Sequence, residues 1–204
     1  MSKIGAVILA AGMSKRMGKP KLLLPLHGIP LFHYALKASI YHSLDPIVLI
    51  AGPYIEEMRK LSHEFRQIEV LYNPNYATGM ASSLKLGMEA MKGRVDAAII
   101  FLADQPFVSI EVVQTLIKQY KKTRKEGIRI VRPAYDGVVG HPILFDGELF
   151  RHFDFMEGDQ GGKSIIQAHQ DRMKIVSFDQ SMWGRDVDTP EDLMQMEAYL
   201  KQKE

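Results

Sequence analysis

Short runs of apolar and β-branched residues alternate along this chain with longer stretches whose apolar positions recur every three or four residues. That alternation predicts βαβ units around a mostly parallel sheet, because strands covered by crossover helices on both faces read as continuous apolar runs. Strands are expected at Ile4–Ala10, Pro46–Ala51, Ile68–Tyr72, Ala97–Leu102, Ile128–Val131 and Lys174–Phe178. Helices are expected at Pro30–Tyr41, Tyr54–Phe65, Ala81–Met91, Ile110–Lys125, Gly161–His169 and Pro190–Lys201. Breakers at Gly52-Pro53, Asn73-Pro74, Gly93 and Gly127 fall between these runs. Thr189 followed by Pro190, Glu191 and Asp192 is a helix start, with a cap, a first-turn proline and acids at the positive end of the dipole. Met80, Leu84, Met88 and Met91 form a core-facing stripe. The stretch 132–162 breaks the pattern with six glycines and two prolines, which predicts loops and a short antiparallel ribbon forming one wall of a cleft.

The 204 residues are 46% hydrophobic and 25% charged, enough for one sizeable core, and a single domain over 1–204 is expected. A net charge of +2 provides no broad field for nucleic acid or an anionic membrane. The lack of cysteine excludes disulfides, thiolate zinc sites and thiol catalysis and fits a reducing compartment, so a cytoplasmic protein is expected. The apolar start Ile4–Ala11 runs directly into a basic segment and reads as a first strand, not a signal peptide.

In open α/β sheets ligands bind beyond the carboxyl ends of the strands, so the residues after each strand carry the chemistry. After the first strand comes a Gly-containing turn whose free N–H groups can face phosphate, followed by the cations Arg16, Lys19 and Lys21. Neither standard phosphate motif fits. There is no GxGxxG, Gly12 and Gly18 enclose five residues where a Walker A loop has four, and Pro20 stands where that loop needs Ser or Thr. In "FLADQPF", Asp104 ends a buried strand and is either a Mg²⁺ ligand or the cap of the helix that starts near Ser109. Asp186 and Asp188 precede the last helix and are either caps or ligands; Asp104 with Asp188 would suffice for magnesium completed by phosphate and water. Gly79, Ser82 and Ser83 open a helix that offers hydroxyls and N–H groups to an anion, or is a plain helix start. His141 in "GHP" either packs structurally or presents its ring to the cleft, and the "GDQGG" glycines mark close approach to a ligand or a hairpin. The run "KKTRKEG" reads as a solvated helix end.

"LAAGMSKRMGKPKLLLPLHGIPL", with "NPNYATGMASSL", "FLADQPF", "GHP", "GDQGG" and "DVDTPEDL" in that order, resembles the nucleotidyltransferases of the nucleotide-diphospho-sugar transferase fold. The similarity is greatest to the MobA-like and MocA-like branch, the molybdenum cofactor cytidylyltransferases and their guanylyltransferase relatives. The resemblance implies a three-layer α/β/α, Rossmann-like architecture with a mostly parallel mixed sheet. It implies transfer of CMP from CTP to the phosphate of molybdopterin with Mg²⁺, the LAAG at Leu9–Gly12 being the version that goes with CTP. Arg16, Lys21 and Asp104 would be catalytic, and Asp104 and Asp188 would hold the metal. Leu9, Ala10, Ala11, Gly12, Asn73, Gly79 and Ser82 would join Arg16 and Lys21 at the nucleotide. Ser83, Gln105, Pro106, Gly140, His141, Pro142, Gly158, Asp159, Gly161 and Gly162 would face the acceptor. A molybdenum hydroxylase such as a xanthine dehydrogenase would then receive the product. Two readings remain open beside this one: transfer to another small phosphate, and a non-catalytic carrier or insertion chaperone for the cofactor.

Overall fold

A computed structural model of the chain describes residues 2–158 and 161–202. In chain order its elements are β1 (Ile4–Ala10), β2 (Pro25–Leu26), β3 (Ile29–Pro30), α1 (His33–Tyr41), β4 (Ile47–Ala51), α2 (Ile55–Leu61), β5 (Ile68–Tyr72) and α3 (Met80–Glu89). There follow β6 (Ala97–Leu102), α4 (Ile110–Thr123), β7 (Ile130–Tyr135), β8 (Val138–Val139), β9 (Ile143–Asp146), α5 (Lys163–Ala168), β10 (Met173–Phe178) and α6 (Pro190–Lys201). The main sheet has the order β10-β7-β9-β6-β1-β4-β5, with β8 paired to β7. Strand β1 is parallel to β4 and β6, β4 to β5, and β7 to β10, while β9 runs antiparallel between β6 and β7.

Strand alternation divides the core between the two faces of this sheet. Ala6, Ile8, Leu49, Ile99 and Phe101 pack with residues of α1, α2, α4 and α6 on one face. Val7, Val48, Ile50, Ala98 and Ile100 pack with α3, α5 and the 3-10 segment Gly147–Phe155 on the other. The result is the expected α/β/α arrangement with a mixed, mostly parallel sheet. Among the described residues no helix is long and apolar enough to cross a membrane.

Three expectations change. The helix expected from Pro30 begins at His33, because His27 (φ 49°) and Gly28 (φ 74°) form a two-residue turn that pairs Pro25–Leu26 with Ile29–Pro30. The strand expected to end at Val131 continues to Tyr135 and turns back at Asp136-Gly137 into β8, which is the anticipated ribbon. The same glycine-rich stretch also supplies β9, a buried central strand that the turn-rich composition around it conceals. The methionine stripe is core at Leu84, Met88 and Met91, whereas Met80 is exposed.

Gly52, which follows β4, packs closely against the loop after β1. A Cβ there would lie 2.7 Å from the backbone oxygen of Ala11, which cannot yield as a flexible side chain could. Gly52→Ala is expected to lower stability in urea unfolding by about 1–3 kcal/mol through this overpacking, and to displace the loop that follows β1.

Candidate active site

The carboxyl ends of β1 and β6 adjoin, since the two strands pair from Ile4↔Ala97 to Leu9↔Leu102. Beyond them, the N–H of Val187, which is fully buried, donates to the Asp104 carbonyl at 2.9 Å and pins the segment before α6 to the end of β6. Neither acid is consumed as a helix cap. Ser109 caps α4 by accepting from the Glu111 N–H at 3.1 Å, and Thr189 with Asp192 forms a reciprocal capping box on α6. The carboxylates of Asp104 and Asp188 are therefore left to face the loop after β1.

That loop folds back on itself through left-handed Ser14 (φ 52°) and Gly18 (φ 63°), and the Ser14 hydroxyl accepts the Lys21 N–H at 3.1 Å. Its outcome is the position of Lys21, which is only 8% exposed. The Lys21 Nζ donates to Asp104 Oδ2 at 2.7 Å and to Asp188 Oδ1 at 2.9 Å, while Arg16 meets Asp188 Oδ2 at 2.8 Å. Burial alone would lower the Lys21 pKa, but Asp104 and then Asp188 reverse the effect and hold it above its usual value. Burial would likewise raise Asp188, yet the hydrogen bond and charge of Lys21, joined by Arg16, hold it below the usual carboxylate value. Asp186 turns elsewhere, accepting from Gln105 Nε2 at 2.8 Å.

A cavity of about 560 Å³ opens here. Of the expected nucleotide and acid positions, Leu9, Ala11, Gly12, Arg16, Lys21, Gly79, Asp104 and Asp188 line it, together with Ser83 from the acceptor set. Ala10 lies buried beneath the loop. Asn73 and Ser82 do not line it. Asn73 is 2% exposed and donates to the hydroxyls of Ser82 (2.8 Å) and Ser83 (2.9 Å), so it ties the start of α3 to the end of β5. The Ser82 hydroxyl is occupied by the carbonyls of Asn75 and Gly79, each 2.9 Å away. Gln105 is also taken up structurally, donating to the Gly184 carbonyl at 3.1 Å as well as to Asp186, and Pro106 is buried beside it.

The other described acceptor positions do not line it. Gly158 accepts the Ala81 N–H at 3.1 Å, Gly161 abuts Met80, and Gly162 abuts Phe145. Gly140, His141 and Pro142 form the turn leading into β9, where the Tyr135 hydroxyl donates to the His141 carbonyl at 2.8 Å. Asp159 lies outside the described residues. Sequence reasoning missed Tyr76, Thr78 and Met80, which form the wall opposite Lys21; their signal was the left-handed Gly79 (φ 113°) between a 3-10 turn and α3. A second cavity of about 570 Å³ lies at the opposite end of the strands, beside the starts of β6 and β7. There Arg124 and Arg129 are already tied to Asp146 and Glu148, so that end is an internal ionic network.

Asp104 and Asp188 converge on one ammonium, so the donor set suits a hard cation that takes one or two carboxylates and completes its shell with phosphate and water. Among the described residues no group of three or more His, Cys, Asp or Glu forms a self-sufficient metal cage. A mostly parallel mixed sheet covered by helices on both faces is the Rossmann-like architecture shared with nucleotidyltransferases. The chain belongs to the family described as the MobA-like NTP transferase domain, which matches residues 6–173.

Among its relatives, the molybdenum cofactor cytidylyltransferase of Escherichia coli is 28% identical over 144 residues, covering 71% of this chain and 70% of that protein. The purine catabolism protein PucB of Bacillus subtilis is 25% identical over 201 residues, covering 91% and 92% respectively. In structure, the Rv0371c homologue from Mycobacterium sp. strain JC1 is similar over 98% of both chains, with a TM-score of 0.81 and 25% identity.

The lowered Asp188 pKa means that its share of the Lys21 bridge is fully present above the usual carboxylate value and is lost as pH falls through the folded one. The raised Lys21 pKa sets the opposite limit: its share is present below 10.5 and is lost as pH rises through the folded value. Lys21→Met leaves two facing carboxylates without their counter-charge and is expected to cost about 1–3 kcal/mol at neutral pH, discounted for partial solvent access. The deficit, read by urea unfolding at several pH values, is expected to shrink as pH falls below the usual carboxylate value and through the folded value of Asp188.

Proposed function

We propose that this protein is a metal-dependent nucleotidyltransferase that moves CMP from CTP to the phosphate of molybdopterin in the cytoplasm, releasing pyrophosphate. The observation that carries the reading is the convergence of Lys21 and Arg16 on Asp104 and Asp188 at the mouth of a nucleotide-sized cavity. The family membership and the cytidylyltransferase relative from Escherichia coli support it.

The acceptor phosphate is already an anion, so the reaction needs no strong general base to make a nucleophile. What it needs is charge neutralisation between two repelling phosphates, in-line placement and a stabilised leaving group. Backbone groups at Ala11 and Gly12, which line the cavity, would meet the nucleotide; a Cβ built on Gly12 would have nothing within 4 Å, so the backbone there is open to close approach. Arg16, well exposed, can leave Asp188 for the β- and γ-phosphates. Lys21, buried beside both acids, would serve the α-phosphate and the departing oxygen. Asp104 and Asp188 would hold the divalent ion, Mg²⁺ in this reading, which when bound would neutralise charge on the phosphate undergoing attack.

The deciding experiment supplies molybdopterin with CTP, GTP or ATP in Mg²⁺ buffer and identifies the dinucleotide formed; the expected product is the cytosine form. Asp104→Ala is expected to keep its circular dichroism spectrum and lose turnover by a factor of about 10² or more. Retained turnover in that variant would remove Asp104 from the chemistry, and near-normal pyrophosphate release by Lys21→Ala at saturating CTP would remove Lys21. Replacing Ala11 by Gly is expected to weaken the preference for CTP over GTP.

A further inference from the structure

Gln105 is a buried polar side chain that the chemistry above does not use. It follows Asp104 in the turn that closes β6, where its N–H donates to the Leu102 carbonyl at 3.2 Å, and it is only 4% exposed. Its Nε2 spends both protons on the segment before α6, donating to the Gly184 carbonyl at 3.1 Å and to Asp186 Oδ1 at 2.8 Å. Those two acceptors fix which end of the amide carries nitrogen. The other end, Oε1, is buried with no hydrogen-bond partner. An acceptor buried without a donor destabilises the fold, and methionine would fill a similar volume without that cost. Glutamine is therefore held here for its two donors.

The segment those donors reach is the one that carries Asp188. Residues 185–188 have no regular secondary structure and run between two firm ends. At one end Gly184 lies so close to the Tyr135 ring that a Cβ would fall 2.3 Å from it. At the other, the Asp192 carboxylate accepts the N–H groups of Asp188 at 3.1 Å and Thr189 at 2.9 Å. Between these ends the chain is tied to the close of β6 twice, by the Val187 N–H on the Asp104 carbonyl and by Gln105 on residues 184 and 186. The first tie is main chain to main chain, whereas the second depends on the side chain at 105. Two adjacent residues of one turn therefore act together: Asp104 presents its carboxylate to Lys21, and Gln105 grips the segment that brings Asp188 to the same ammonium.

We propose that Gln105 is a positioning residue whose amide sets the spacing of Asp104 and Asp188, and through it the affinity of the acid pair for a divalent ion. For the ion the proposal rests on the transferase reading above; for the spacing it rests on the hydrogen bonds alone. Groups that orient the ligands of a metal, without touching it, ordinarily change its affinity by about 10- to 100-fold when they are replaced. Asp186 has a defined part in this arrangement, as the acceptor that Gln105 holds.

The test compares Gln105→Met, Gln105→Glu and the double variant Gln105→Glu/Asp186→Asn with wild type in two arms. Gln105→Glu turns a carboxylate toward Asp186 and the Gly184 carbonyl, and adding Asp186→Asn lets an amide donate back to it. In urea without substrate, the drop in midpoint caused by Lys21→Met is expected to shrink by about half or more when Gln105→Met is already present, because Asp188 can then withdraw from Asp104. With CTP and molybdopterin, the half-saturating Mg²⁺ concentration is expected to rise about tenfold or more in both single variants. The CTP KM at saturating Mg²⁺ is expected to stay within about threefold, and Asp186→Asn to recover about threefold or more of the Gln105→Glu loss. Additive urea losses would make Gln105 an ordinary buried hydrogen bond and overturn the assignment. So would an unchanged Mg²⁺ requirement, or no recovery in the double variant. A wild-type protein that releases no pyrophosphate from this pair counts instead against the transferase reading, and the urea arm still decides the role of Gln105.

Discussion

A single ammonium sets the geometry of the site. Lys21 is withdrawn from solvent and shared by Asp104 and Asp188, so three segments far apart in the chain meet at one point. In a partly desolvated cleft two carboxylates repel strongly unless a cation lies between them. The loop after β1 supplies that cation. Anything that brings phosphate or a divalent ion to the cleft must exchange with these ion pairs.

The sheet determines where this exchange occurs. Parallel β1 and β6 end side by side, which presents the loop after β1 next to Asp104. The N–H of buried Val187 then brings the last acid into place through one hydrogen bond to the Asp104 carbonyl. Asp188 lies beyond the residues 6–173 matched by the family, yet it completes the acid pair. On the other side of β6 lie antiparallel β9 and then β7. The cleft is cationic where Lys21 and Arg16 line it.

Much of this was legible beforehand. The apolar runs marked β1, β4, β5, β6 and β10, and Thr189 with Pro190 marked the start of α6. Arg16, Lys21, Asp104 and Asp188 stood out because costly polar residues followed buried strands or preceded a capped helix. The His27-Gly28 hairpin was missed because its strands are two residues each, too short for a period to register. Strand β9 was hidden because three apolar residues and an aspartate in a glycine-rich stretch read equally as a loop. Asn73, Ser82 and Gln105 were placed at the ligand because polar residues after strands look alike in a sequence whether they face a cavity or bind the backbone beside it.

Local pattern alone thus determined the strands, the crossover helices and the set of residues able to handle phosphate, because periodicity, capping and the cost of a buried charge act over a few neighbouring positions. Tertiary structure decided which acid joins Asp104, since Asp186 and Asp188 are equivalent until Gln105 engages one and Lys21 the other. Ion pairing likewise depends on which side chains the sheet order brings within a few ångströms, and no spacing along the chain encodes that distance.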